Sequence, residues 1–133
     1  WAKPVPIDPS YYRNPARGIF LVSAAGPLAN LFLAGVFGLF VRLPWFLGAP
    51  WVIQEFILSG VMINLGLFLF NLIPVPPLDG AGILGYFLRG RLRYAYRRIG
   101  EFGLVLLVLI ILTGVLAYPL SFLFYLLTGY HLP

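Results

Sequence analysis

Cysteine is missing from this 133-residue sequence, histidine occurs once, and only four residues are acidic. Without cysteine there is no disulfide framework and no thiolate metal site, and the redox compartment leaves no trace. Charged residues make up 10% of the chain, against about a quarter in soluble domains, so an ordinary water-soluble globule is excluded. No basic leader followed by a cleavage pattern precedes the first apolar run, and no segment repeats another. The first residue is Trp1 and not methionine, which suggests a processed or truncated chain, or a fragment of a longer reading frame.

Apolar residues fill the space. They account for 61% of the sequence, and the mean hydropathy is +0.94. With disulfides excluded, an integral membrane protein is the class that remains. The net charge of +5 is concentrated: Arg89, Arg91, Arg93, Arg97 and Arg98 fall together between two apolar runs. In that setting a basic cluster marks the cytoplasmic side and contact with anionic membrane lipids, so no nucleic acid is expected as a partner.

Three apolar runs organise the chain. Residues 1–18 hold Pro4, Pro6, Pro9 and Pro15 and are expected to be an extended cytoplasmic or interfacial segment. The transmembrane domain then covers 19–133, with spans at about 19–41, 56–78 and 102–128. The first, Ile19–Val41, is 23 residues without a charge. As a helix it is about 35 Å long, enough for a hydrocarbon core of about 30 Å. Trp45 and Trp51 sit in the turn that follows, as interfacial residues do. The third run is interrupted only by Pro119. An all-α bundle of three spans results, with the second broken by prolines.

Charge bias orients it. Lys3, Arg13 and Arg17 precede the first span, Arg42 and Glu55 balance across the first loop, and the five arginines occupy the second. The N-terminus and the 89–98 loop are expected in the cytoplasm and the C-terminus outside. Asp79 then lies near the cytoplasmic face.

Small and polar residues give each span a packing face. Gly26, Asn30, Ala34 and Gly38 recur every four residues in the first, Gly60, Asn64 and Asn71 share a side of the second, and Thr113, Ala117 and Ser121 do so in the third. Ordinary helix–helix contact explains most of them, but an amide deep in a span, as at Asn30 or Asn71, needs a partner.

The densest information lies in Asn71-Leu-Ile-Pro-Val-Pro-Pro-Leu-Asp-Gly80. Pro74, Pro76 and Pro77 lack a backbone N–H and cannot continue a regular helix. In a bilayer the freed carbonyls are tolerated only where protein or a water-filled cavity satisfies them. Asp79, the sole acid between Glu55 and Glu101, follows this break directly. Asp79-Gly80 also reads as a simple turn on leaving the membrane. An ionisable residue beside a broken helix at membrane depth is nonetheless a candidate functional residue.

These residues carry a resemblance. Asn71, Pro74, Pro77, Asp79 and Gly80 fit the N-x-x-P-x-x-P-x-D-G pattern of the site-2 protease family, M50-like intramembrane zinc metalloproteases. Ala25-Gly-Pro-Leu-Ala-Asn30 resembles the start of the family's preceding span, and Trp1-Ala-Lys-Pro-Val-Pro6 the loop leading to it. The resemblance implies an enzyme that cleaves transmembrane segments of membrane-protein substrates. It implies zinc held by two histidines of an HExxH motif and by Asp79. Three protein ligands leave one position for water, whose pKa zinc lowers toward ~7, with the motif's glutamate as general base. It further implies that Asn71, Pro74 and Pro77 lie beside the substrate, where exposed backbone could pair with an extended strand. Gly26, Asn30 and Gly80 are implied as packing residues.

The sequence departs from the family at one point: it contains no HExxH, and its lone histidine, His131, lies beyond the third run. No catalytic residue is therefore expected within this chain, which alone should be inactive. The histidines are expected on a helix upstream of Trp1. A non-catalytic homologue and a transporter or channel subunit that uses the broken helix as a binding site are the alternatives.

Overall fold

A computed structural model describes residues 14–132 of the chain. The described residues form six α-helices and no strand: α1 (Pro15–Val41), α2 (Trp51–Asn71), α3 (Asp79–Phe87), α4 (Gly90–Gly100), α5 (Gly103–Leu112) and α6 (Ala117–Thr128). A short 3-10 turn, Pro44–Gly48, joins α1 to α2. The all-α membrane bundle read from the sequence is the architecture found.

α1 begins at Pro15, four residues before the expected start. Asn14 caps it by accepting from the Arg17 N–H, and Pro15 occupies the first helical position, where its missing N–H is no loss. The expectation of extended backbone thus fails for 15–18 and holds at Asn14 (φ −134°, ψ 98°); residues 1–13 lie outside the described residues. α2 also starts early, at Trp51, and stops at Asn71, where the proline break read from the sequence begins. The prolines at 74, 76 and 77 end it before the apolar composition does.

α1 and α2 are each long and apolar enough to cross a membrane. α5 and α6 qualify only together, as one span bent by 66°. Read from the sequence as one span interrupted only at Pro119, the third run breaks instead between Leu112 and Ala117. Gly114, at φ +65°, takes a left-handed conformation that ends α5. Thr113 falls in this break and bonds back to the Ile110 carbonyl, and Ser121 bonds to that of Ala117. With Ala117 they are exposed, so the expected stripe does not pack within the described residues.

The main core lies where α1, α2 and α6 meet. Ala34, Val61 and Leu65 are fully buried there, with Phe46, Ile57 and Phe124 around them. Glycines permit the close approach: a Cβ on Gly60 would touch the Phe37 ring at 2.9 Å, and one on Gly38 would meet Leu127 Cβ at 3.0 Å. Arg42, just past α1, donates from Nε to the Leu127 carbonyl (2.8 Å) and from Nη2 to that of Leu126 (2.5 Å). It satisfies carbonyls left open at the end of α6, where a cation is also favoured by the helix dipole. The C-terminal ends of α1 and α6 therefore share one end of the bundle.

Candidate functional site

The second core cluster holds the proline segment in place. From Leu72 to Leu78 the chain is non-helical and includes a cis Pro76–Pro77 bond. Ile73 and Val75 point inward and are buried with Leu107 of α5, while Pro74 and Pro77 are exposed. This alternation lets two apolar anchors fix a segment that has no regular hydrogen bonding.

Its polar groups are largely spoken for. Ile73 N–H donates to Phe70, Val75 N–H to Ile73 and Leu78 N–H to Val75. The Pro74 carbonyl accepts from the Tyr96 hydroxyl at 2.7 Å, so α4 pins the loop from outside. Burial raises the pKa of this phenol, which keeps it a donor. Pro76 fits against two glycines. A Cβ on Gly100 would come within 3.1 Å of its ring, and one on Gly103 would run into its carbonyl oxygen.

Asp79 is the first residue of α3, where a carboxylate is favoured by the helix dipole. Gly80 follows because nothing larger fits: a Cβ there would collide with the Leu72 and Ile73 carbonyl oxygens. The backbone here thus opens a helix and is not the simple turn that the sequence also allowed. It leaves the side chain to be explained.

That side chain reaches across to α1. A Cβ on Gly26 would lie 2.6 Å from Asp79 Oδ2, so the absent side chain at 26 is what admits the carboxylate. One turn away, Gly82 of α3 sits over the buried Ser23 in the same manner. Two contacts three residues apart on each helix set the α1–α3 crossing. The structure therefore brings together Gly26, Asp79 and Gly80. Asn30 is half-buried one turn further along α1, and Asn71 is half-buried as the last residue of α2. Asn64 satisfies itself on the Gly60 carbonyl at 2.8 Å.

Several positions escaped the sequence reading. Tyr96 looked like one aromatic among many, although it lies on the apolar side of an amphipathic segment. Gly82, Gly100 and Gly103 carried a signal only in retrospect, as glycines within helices that bring backbone against backbone.

The residue that the sequence nominates as a zinc ligand is Asp79. The Asp79 carboxylate is a hard oxygen donor suited to the metal, but among the described residues no three His, Cys, Asp or Glu side chains converge to hold an ion. His131 stacks on Tyr125 with ring centroids 4.5 Å apart, near the far end of α6. A complete site would need ligands from beyond the residues described.

Comparison with known proteins identifies relatives of the chain. The chain is 30% identical over 126 residues to "Putative zinc metalloprotease YwhC" of Bacillus subtilis (strain 168), an alignment covering 90% of this chain. The chain spans 58% of that relative's length. No solved structure matches. The model of Peptidase family M50 matches residues 47–114, just over half of the chain and including the whole proline–aspartate segment. The chain belongs to peptidase family M50, the site-2 protease family.

Proposed function

We infer that this chain is part of an intramembrane zinc metalloprotease that cleaves transmembrane segments of membrane proteins. It supplies Asp79 as third zinc ligand, beside two histidines of an HExxH motif that this sequence does not contain. The observation that carries the reading is the carboxylate of Asp79, set against the gap at Gly26 directly after a proline-broken membrane helix. Bound zinc would polarise the scissile carbonyl and supply an activated water.

The remaining work falls to this chain's own residues. Gly26 and Gly80 fix where the Asp79 carboxyl group sits, one by leaving space and the other by letting the loop fold back on α3. The rings of Pro74 and Pro77 are the exposed surface beside it, and Asn71 closes the helix above. Because the loop's own N–H groups bond locally, a substrate strand pairing here would donate to its carbonyl oxygens instead. On its own the chain is expected to be inactive.

The N-terminus and the 89–98 segment face the cytoplasm of a bacterial plasma membrane in this reading, and the C-terminus lies outside. The Arg42 contacts support it, since they require the first loop and the C-terminus to share a side. The natural lack of cysteine makes the topology easy to test. Arg91→Cys should react with an impermeant thiol reagent only from the cytoplasmic side, and His131→Cys only from the other; both reacting from one side would refute the orientation.

Activity is tested with the complete protein in vesicles containing a single-span substrate. Cleavage should stop on chelation, return with zinc, and be lost in Asp79→Ala. Cleavage that survives the chelator would remove the metalloprotease reading.

A further inference from the structure

Helix α4 is the least explained element of the fold. It carries Arg91, Arg93, Arg97 and Arg98 within eleven residues, follows Arg89, and leads after two residues into the apolar α5. At 100° per residue, Leu92, Ala95, Tyr96 and Ile99 share one side and the arginines with Tyr94 the other. Leu92 is 68% and Ile99 48% exposed, although both belong to the apolar side. Among the described residues of α4, Tyr96 and Gly100 turn into the protein, and both meet the proline loop.

Such a helix lies in the membrane interface, apolar side toward the acyl chains and basic side toward the head groups. Arg93 is partly committed, donating to the Gly85 carbonyl at 3.2 Å and so tying α4 to the end of α3. Arg91 and Arg98 are exposed, the latter with its guanidinium 5.6 Å over the Tyr94 ring. Guanidinium groups bind phosphate oxygens through paired N–H donors. The chemistry that complements this surface is an anionic phospholipid bilayer.

We propose that α4 docks on anionic phospholipid head groups and, through the hydrogen bond from Tyr96 to the Pro74 carbonyl, holds the 72–78 loop in the conformation seen here. Tyr96 is a positioning residue: it touches neither metal nor substrate but fixes the segment that ends in Asp79. The consequence for proteolysis rests on the zinc reading above; the coupling of lipid to loop does not.

Hydrogen–deuterium exchange of the full chain tests it, in vesicles of phosphatidylcholine alone and of an equimolar phosphatidylcholine–phosphatidylglycerol mixture. The anionic lipid should slow exchange about fivefold or more at residues 91–99 and at the Ile73, Val75 and Leu78 amides, the factor that one arginine near an anionic surface represents. Arg91→Gln/Arg98→Gln should erase the difference at both places. Tyr96→Phe should keep it in α4 and lose it in the loop, whose exchange rises about fivefold. Equal exchange in the two lipids would overturn the proposal. So would a loop that still responds in Tyr96→Phe, or protection by inorganic phosphate added to phosphatidylcholine vesicles. Neither zinc nor substrate is needed, so this test and that of the metal site fail separately.

Discussion

Replacing Gly26 by alanine adds a single methyl group, and the structure says where it goes. Its Cβ would stand 2.6 Å from Asp79 Oδ2 and 3.6 Å from Cγ, whereas ordinary contact begins at 3.4 Å. The oxygen must retreat by about 0.8 Å, the difference between those distances. It can do so by rotating a side chain, with no movement of backbone. Alanine is also the better helix former by up to about 1 kcal/mol. Gly26→Ala should therefore fold as well as the parent. A zinc ligand, however, must sit within about 0.2 Å of its bonding distance, and a misplacement of about 1 Å costs about 100-fold in rate. Gly80→Ala is the contrasting case. Its Cβ meets two backbone carbonyl oxygens, which cannot rotate away, and overpacking of this kind costs about 1–3 kcal/mol. The assay pairs thermal unfolding in detergent with zinc content and cleavage, using the complete protein. Gly26→Ala should keep its melting temperature and lose most zinc and turnover; Gly80→Ala should lose all three. Full activity in Gly26→Ala, or a melting temperature as low as that of Gly80→Ala, would refute the reasoning.

Other consequences follow from single contacts. Arg42→Gln removes two charge-assisted bonds to the end of α6; at this exposed position it should cost about 1 kcal/mol, read by thermal unfolding, with Arg42→Lys recovering only part. Gly114→Ala forces a side chain into the left-handed region and should destabilise by about 1–2 kcal/mol by the same assay, unless α5 and α6 straighten into one helix. Burial raises the Tyr96 phenol above its ordinary value of 10.0, so the unfolded chain gives up that proton first as pH climbs. The stability it lends is complete below that ordinary value and is lost as pH rises through the folded one; Tyr96→Phe should flatten this alkaline decline in unfolding measurements.

The two long helices were legible because a bilayer demands uncharged runs of about 20 residues, and Ile19–Val41 satisfies that with no competing signal. Their ends were harder. Pro15 counted against helix in the sequence, yet a proline at the first helical position gives up nothing. Pro119 misled in the same way: it was taken as the interruption of the third run but lies in the first turn of α6, while Gly114 five residues earlier makes the bend. A left-handed glycine is silent in an apolar run, since hydropathy does not register backbone conformation. At the candidate site, Asp79 could be nominated because an acid next to prolines in a membrane span needs a reason. Gly26 could be named as a packing residue, but its partner could not, because that contact joins residues 53 positions apart. Tyr96 was invisible for the same cause: its bond reaches back 22 residues to a carbonyl that leaves no mark in the sequence.

The central claim is that Asp79 ligates zinc, and metal content tests it without any substrate. The complete protein and its Asp79→Asn variant would be purified in parallel and their zinc measured per polypeptide. Asparagine keeps the shape of the side chain and removes its charge, so folding should be unchanged. The account predicts about one zinc per chain in the parent and a large loss in the variant. Equal zinc in both, at equal melting temperature, would show that Asp79 is not a ligand.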